Sequence, residues 1–188
     1  MQQITISDLC LRAFEKKDAA AFAAMVRDTA MSADQSMYWC HPGYTEAQAL
    51  EWFAVCAQER AFQSAYEFGI FNKESGELSG AAGINMIDRI CRRCNLSYWV
   101  APRWQGQGIA TTVASALTQY AFSELQLFRV ELVMAMTNLA SRRVADKAGA
   151  QFEGLARHRL YLNGSSVDAA IYSLIPGEVR IASCLTYT

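Results

Sequence analysis

Apolar positions in this chain alternate with a period of two in some stretches and recur at the 3.6-residue period of a helix in others, and these two rhythms mark out its elements. Residues 2–14 alternate as a strand does. Asp18 stands where an N-cap would open an alanine-rich helix reaching about Asp28. Residues 29–44 follow neither rhythm and read as a loop carrying Tyr38, Trp39, His41, Pro42 and Gly43. Thr45 opens a second helix, with Gln48 placed as in a capping box and Ala49, Trp52, Phe53 and Cys56 along one buried face.

Three strands follow: Ser64 to Asn72, Leu78 to Asp88 and Asn95 to Val100. Lys73-Glu74-Ser75-Gly76 turns the chain between the first two. Small residues from Gly80 to Gly83 allow close approach within the second. Pro102, which has no N–H to give a ladder, ends the third. A helix from Gly108 to about Glu124, a strand from Phe128 to Met136 and a short helix from Asn138 to Ala148 come next, the last with Gly149 as its C-cap. Phe152 to Leu162 and Val167 to Ile175 close the pattern as a hairpin around Asn163-Gly164. This order predicts an α/β (α+β) fold: one mostly antiparallel, twisted sheet of about seven strands flanked by about four helices. Residues 1–176 read as a single domain and 177–188 as a tail.

Composition narrows the functional classes. Net charge is −1 from 17 basic and 18 acidic residues, which argues against a nucleic-acid-binding surface; Arg92-Arg93 and Arg142-Arg143 read as solvated pairs. No apolar run is long enough to span a membrane, and the first residues lack the regions of a signal peptide, so a cytoplasmic location is expected. The six cysteines are then most simply free thiols. Cys91-Arg92-Arg93-Cys94 is one isolated C-x-x-C between two strand-like runs, so it reads as a hairpin turn and no metal site is expected. Cys40-His41 reads as an incidental neighbour pair.

The candidate chemistry lies at Arg103-Trp104-Gln105-Gly106-Gln107-Gly108-Ile109-Ala110, a glycine-rich loop between a strand and a helix. Glycines let the backbone approach a ligand, and the free N–H groups of a helical first turn, with roughly half a positive charge from the dipole, favour an anion. The loop fits neither G-x-G-x-x-G with a downstream acid nor the Walker pattern.

Gln105, Gly108 and Ala110 match [RQ]-x-x-G-x-[GA], and the stretch resembles the acetyl-CoA loop of the GNAT acetyltransferase superfamily. Around it, Ser97-Tyr98-Trp99-Val100-Ala101-Pro102, Asn138-Leu139-Ala140-Ser141, Glu153-Gly154, Tyr161-Leu162-Asn163-Gly164, Asp168 and Tyr172 resemble the ribosomal-protein (RimJ/RimL) branch. The resemblance covers roughly residues 4 to 175. It implies a sheet splayed at the acetyl-CoA site. Backbone amides of Gln105, Gly106, Gln107, Gly108, Ile109 and Ala110 would hold the pyrophosphate, and Trp99, Val100 and Ala101 would pair with the pantetheine arm. Asn138 would hydrogen-bond that arm, and Ser141 would protonate or hydrogen-bond the departing thiolate. Relatives of this branch are often homodimers.

The same residues carry plainer readings: Asn138 as an N-cap, Ser141 as an ordinary first-turn serine, one of Tyr98 and Trp99 as core, and Tyr38 and Trp39 as either packing or acceptor-pocket walls. Two carboxylates that the family uses are replaced, by Asn95 or Ser97 before the loop and by Leu160 before Tyr161. That leaves Glu67, Asp88, His158 or an ordered water as candidate base. The resemblance implies acetyl transfer from acetyl-CoA to a primary amine, which is either a protein N-terminus or a small amine such as a polyamine, amino acid or aminoglycoside-like compound. A silent acyl-CoA sensor is the reading from a different class.

Overall fold

A computed structural model describes residues 3–31, 37, 39–178 and 185–187, and these described residues form nine strands and four α-helices. The strands are β1 (Ile4–Ile6), β2 (Leu9–Arg12), β3 (Tyr66–Asn72), β4 (Leu78–Asp88), β5 (Arg93–Val100), β6 (Arg129–Ala135), β7 (Gln151–Leu162), β8 (Ser165–Leu174) and β9 (Leu185–Tyr187). The helices are α1 (Ala19–Ala30), α2 (Glu46–Ala61), α3 (Ile109–Ser123) and α4 (Leu139–Ala148). They build one sheet in the order β7-β8-β6-β5-β4-β3-β2-β1-β9.

Every neighbouring pair is antiparallel except β5 and β6, which run parallel and stay paired only from Arg93↔Arg129 to Asn95↔Glu131. β5 continues to Val100 and β6 to Ala135 with no partner between them. The sheet therefore opens as a wedge in its middle, and α3 leaves from the end of β5 beside that wedge.

Two apolar layers hold the sheet. On one face α3 and α4 bury Val113, Leu117, Tyr120 and Ala145 against Phe68, Ile84, Leu96 and Leu132. On the other, α1 and α2 bury Phe22, Val26, Ala49 and Phe53 against Phe71, Leu78 and Ala81. The alternation of β3 to β5 explains the division, since successive side chains point to opposite faces.

Three expectations change. The strand expected over residues 2–14 is a hairpin: Ser7 takes a positive φ of 54° and splits it into β1 and β2. The segment expected as a tail supplies β9, which pairs antiparallel with β1 through Ile4↔Tyr187, Thr5↔Thr186 and Ile6↔Leu185. These two differences account for nine strands where about seven were expected. Asp18 does not cap α1 with its side chain. It is buried, accepts the Glu15 N–H at 2.8 Å and pairs with Arg12 at 2.7 Å, closing the 3-10 turn that leads into the helix. The C-x-x-C is a turn as expected, with Cys91 exposed and Cys94 buried. No helix among the described residues is long and apolar enough to cross a membrane.

Candidate active site

The glycine-rich loop begins where β5 ends. A short 3-10 turn, Pro102–Trp104, carries the chain to Gln105, whose Nε2 donates to the Val100 carbonyl at 2.9 Å and ties the loop back to the strand. Gly106 and Gly108 then take φ of +77° and +82°, the left-handed region that side chains disfavour. A Cβ at either position would meet no protein atom within 4 Å. Packing therefore does not require these glycines. The backbone turn does, and it leaves space above the loop for a ligand.

α3 starts at Gly108 with no side-chain cap. By contrast, Thr45 and Gln48 form the expected capping box on α2, and the Asn138 side chain accepts the Ser141 N–H at 3.0 Å on α4. The first-turn N–H groups of Ile109, Ala110 and Thr111 come before the first i→i−4 bond of the helix, from Thr112 N–H to Gly108 O at 3.0 Å. Unsatisfied donors and the positive end of the dipole thus face open space together, which is what an anion needs.

The open edge of β5 lies beside this loop. Ala101 donates its N–H to Ser79 O at 2.9 Å, on the β4 side. Strand alternation then turns the Val100 N–H the other way, into the wedge. Across the wedge, the Tyr98 hydroxyl donates to the Ser141 carbonyl at 3.2 Å, bringing the first turn of α4 to the level of Tyr98 and Val100. Burial pushes the Tyr98 phenol up to about 12, so it stays protonated and keeps donating. Ser141 is half-buried there. Asn138 does cap α4 with Oδ1, and its amide nitrogen takes no part in the cap.

On the opposite face of β4 and β5, a cavity of about 450 Å³ opens between the sheet and the two N-terminal helices. Phe22, Trp39, Tyr44, Trp52 and Trp99 are among its rings, and Met37, Ser97 and Glu67 line it as well. Trp39 lines this cavity and packs edge-on to Trp99 with centroids 5.5 Å apart. Tyr38 lies outside the described residues. Of the three candidate bases, only Glu67 is here. Burial pushes its carboxyl above the usual carboxylate range, opposed by a hydrogen bond from Asn85 Nδ2 at 3.2 Å. Asp88 instead accepts the Ile90 and Cys91 N–H groups and pairs with Arg93 in the β4–β5 turn. His158 is an exposed residue of β7 with a φ of 52°, its N–H bonded to Asp168. Cys40 and His41 have separate partners, Val26 O and Gln48 respectively, so the pair is no dyad.

Two contributors escaped the sequence reading. Gly83 faces Glu67 across the β3–β4 ladder, and the Glu67 carboxylate lies where a Cβ at Gly83 would be. Asn85 Nδ2 reaches both Glu67 and Ser97 Oγ, the latter at 3.0 Å. A glycine and an asparagine inside an otherwise apolar strand were the available signals.

Comparison with known proteins agrees with this geometry. The family model described as an acetyltransferase (GNAT) domain matches residues 8–151. The Bacillus subtilis (strain 168) protein YdaF, provisionally named a ribosomal N-acetyltransferase, is 30% identical over 175 residues, covering 90% of this chain and 92% of YdaF. The spermidine N(1)-acetyltransferase of Escherichia coli (strain K12) is 29% identical over 89 residues, 47% of this chain and 48% of that protein. Among solved structures, RimL, a ribosomal L7/L12 alpha-N-protein acetyltransferase in complex with coenzyme A, superposes with a TM-score of 0.83 at 26% identity, over 92% of this chain and 97% of that one.

Proposed function

Because the chain belongs to the GNAT acetyltransferase family, we propose that it moves the acetyl group of acetyl-CoA to a primary amine, the α-amino group of a protein N-terminus. The observation that carries this reading is the uncapped α3 N-terminus set beside the unpaired edge of β5. Backbone amides from Gln105 through Gly106, Gln107, Gly108, Ile109 and Ala110 hold the pyrophosphate. Trp99, Val100 and Ala101 offer their open edge to the pantetheine arm as to an added strand. The Asn138 amide supports the same arm.

Chemistry follows by direct attack. The amine reaches the site as an ammonium, with an unperturbed pKa near ~8. It gives a proton to Glu67, whose affinity for protons burial raises above that of an ordinary carboxylate. The neutral nitrogen attacks the thioester carbonyl carbon, and the Val100 N–H stabilises the oxyanion. The attacking nitrogen, cationic once bonded, loses its second proton to solvent; the C–S bond then breaks, and the Ser141 hydroxyl protonates the thiolate and is itself reprotonated by solvent.

Relatives named for ribosomal N-acetyltransfer support a protein N-terminus as acceptor. The test is release of coenzyme A thiol in the presence of N-terminal peptides, with mass spectrometry of the product. Acetylation of the α-amine is expected. Binding of acetyl-CoA without turnover of any amine would replace the enzyme with a sensor.

A further inference from the structure

We propose that the cavity beside β5 selects acceptors whose primary amine sits on an aromatic or bulky apolar body carrying a single positive charge, with Glu67 holding the ammonium. This deepens the acetyltransferase reading and rests on it. The chemistry is shared by a peptide beginning with Phe or Trp and by a free arylalkylamine.

Charge count and shape carry the argument. Among the described residues that line the cavity Glu67 is the only carboxylate, and most of the others are rings. Phe22 and Trp52 stack at 5.0 Å, and Trp39 and Trp99 meet edge-on, so these rings brace one another as flat apolar walls. One carboxylate balances one ammonium. A polyamine would leave its further charges with no counter-ion among the described lining residues. An acceptor with a small side chain, such as Ser or Ala, would leave much of a 450 Å³ apolar space in contact with water.

The amine is also placed correctly for transfer. Asn85 joins the Glu67 carboxylate to Ser97 Oγ, so the ammonium site is two hydrogen bonds from β5, in the part of that strand which β6 leaves unpaired. Gly83 keeps the carboxylate there. An alanine at that position would collide with the carboxylate oxygens, which lie 1.9 and 2.3 Å from the new Cβ. These oxygens are the free end of a flexible side chain, so Gly83→Ala pushes the carboxylate aside instead of breaking the strand.

The test is steady-state kinetics with acetyl-CoA and seven acceptors: peptides differing only in a first residue of Phe, Trp, Leu, Ser or Ala, together with 2-phenylethylamine and spermidine. Phe- and Trp-initiated peptides or 2-phenylethylamine should exceed the Ser and Ala peptides and spermidine by about 10- to 100-fold in kcat/KM, mainly through KM. The peptide and free-amine arms show which source is preferred. Trp39→Ala should compress that preference to under about threefold. Glu67→Gln and Gly83→Ala should depress kcat/KM in parallel, with acetyl-CoA affinity unchanged. Equal turnover of Ser and Phe peptides, or spermidine as the best acceptor, overturns the proposal while leaving the acetyltransferase intact. Turnover of none of the seven overturns the function and the proposal together.

Discussion

Gly106 and Gly108 hold left-handed turns over open space, so the cost of altering them divides cleanly between fold and ligand. Gly108→Ala should cost about 1–2 kcal/mol of stability from backbone strain, read as a fall of a few degrees in Tm, yet weaken acetyl-CoA binding at least about tenfold because the loop can no longer turn its amides to the pyrophosphate. Gly108→Glu adds charge repulsion and should abolish binding by calorimetry; unchanged affinity would remove the loop from the site. Ser141→Ala should leave acetyl-CoA affinity nearly intact and lower kcat by about 10²-fold, the lower range for general acid catalysis. Unchanged kcat would remove Ser141 as the acid. Much at this scale was legible in the sequence: the loop glycines, the Asn138 cap and the Trp39 region. Glu67 was only one of three bases, because a carboxylate's role depends on which strand neighbours it faces. Asp88 and His158 are equally polar in sequence and were separated from Glu67 only by register.

At the level of elements, α2 and α4 are both capped but for different ends. Thr45→Ala and Asn138→Ala each lose a cap and should each cost about 1 kcal/mol. Only Asn138→Ala should also raise the KM for acetyl-CoA; a matching rise in Thr45→Ala would show that the effect is global loosening. The helices, and the caps of α2 and α4, could be read because capping and helical periodicity are local. The β1–β2 split and β9 could not. Each strand has three or four residues, too few to show a period, and β9 owes its existence to pairing with β1, some 180 residues away in the chain. Asp18 was misassigned for a related reason: Arg12, six residues earlier, offers it a charged partner, which the helix N-terminus does not outbid.

Across the whole molecule, the wedge depends on β6, β7 and β8 keeping their places. Arg129 on β6 pairs with Glu153 on β7, and Ser173 on β8 donates to the same carboxylate at 2.7 Å. The Arg129 guanidinium and then the Ser173 hydroxyl hold the Glu153 carboxyl down to about 2, from an ordinary 4.5. A depressed carboxylate contributes stability that is complete above the unfolded value and is lost as pH falls through the folded one. Glu153→Gln should therefore lower Tm at pH 7, with the gap to the parent closing as pH falls from about 4.5 towards 2. A gap that persists at the acid end would assign the effect to packing.

The central claim is that the 105–110 loop and the free edge of β5 together grip acetyl-CoA. Amide hydrogen exchange on the full chain, with and without saturating acetyl-CoA, reads those N–H groups directly. The account predicts new protection concentrated at residues 105–111 and at Val100. Tight binding with protection elsewhere and none at these amides would contradict it.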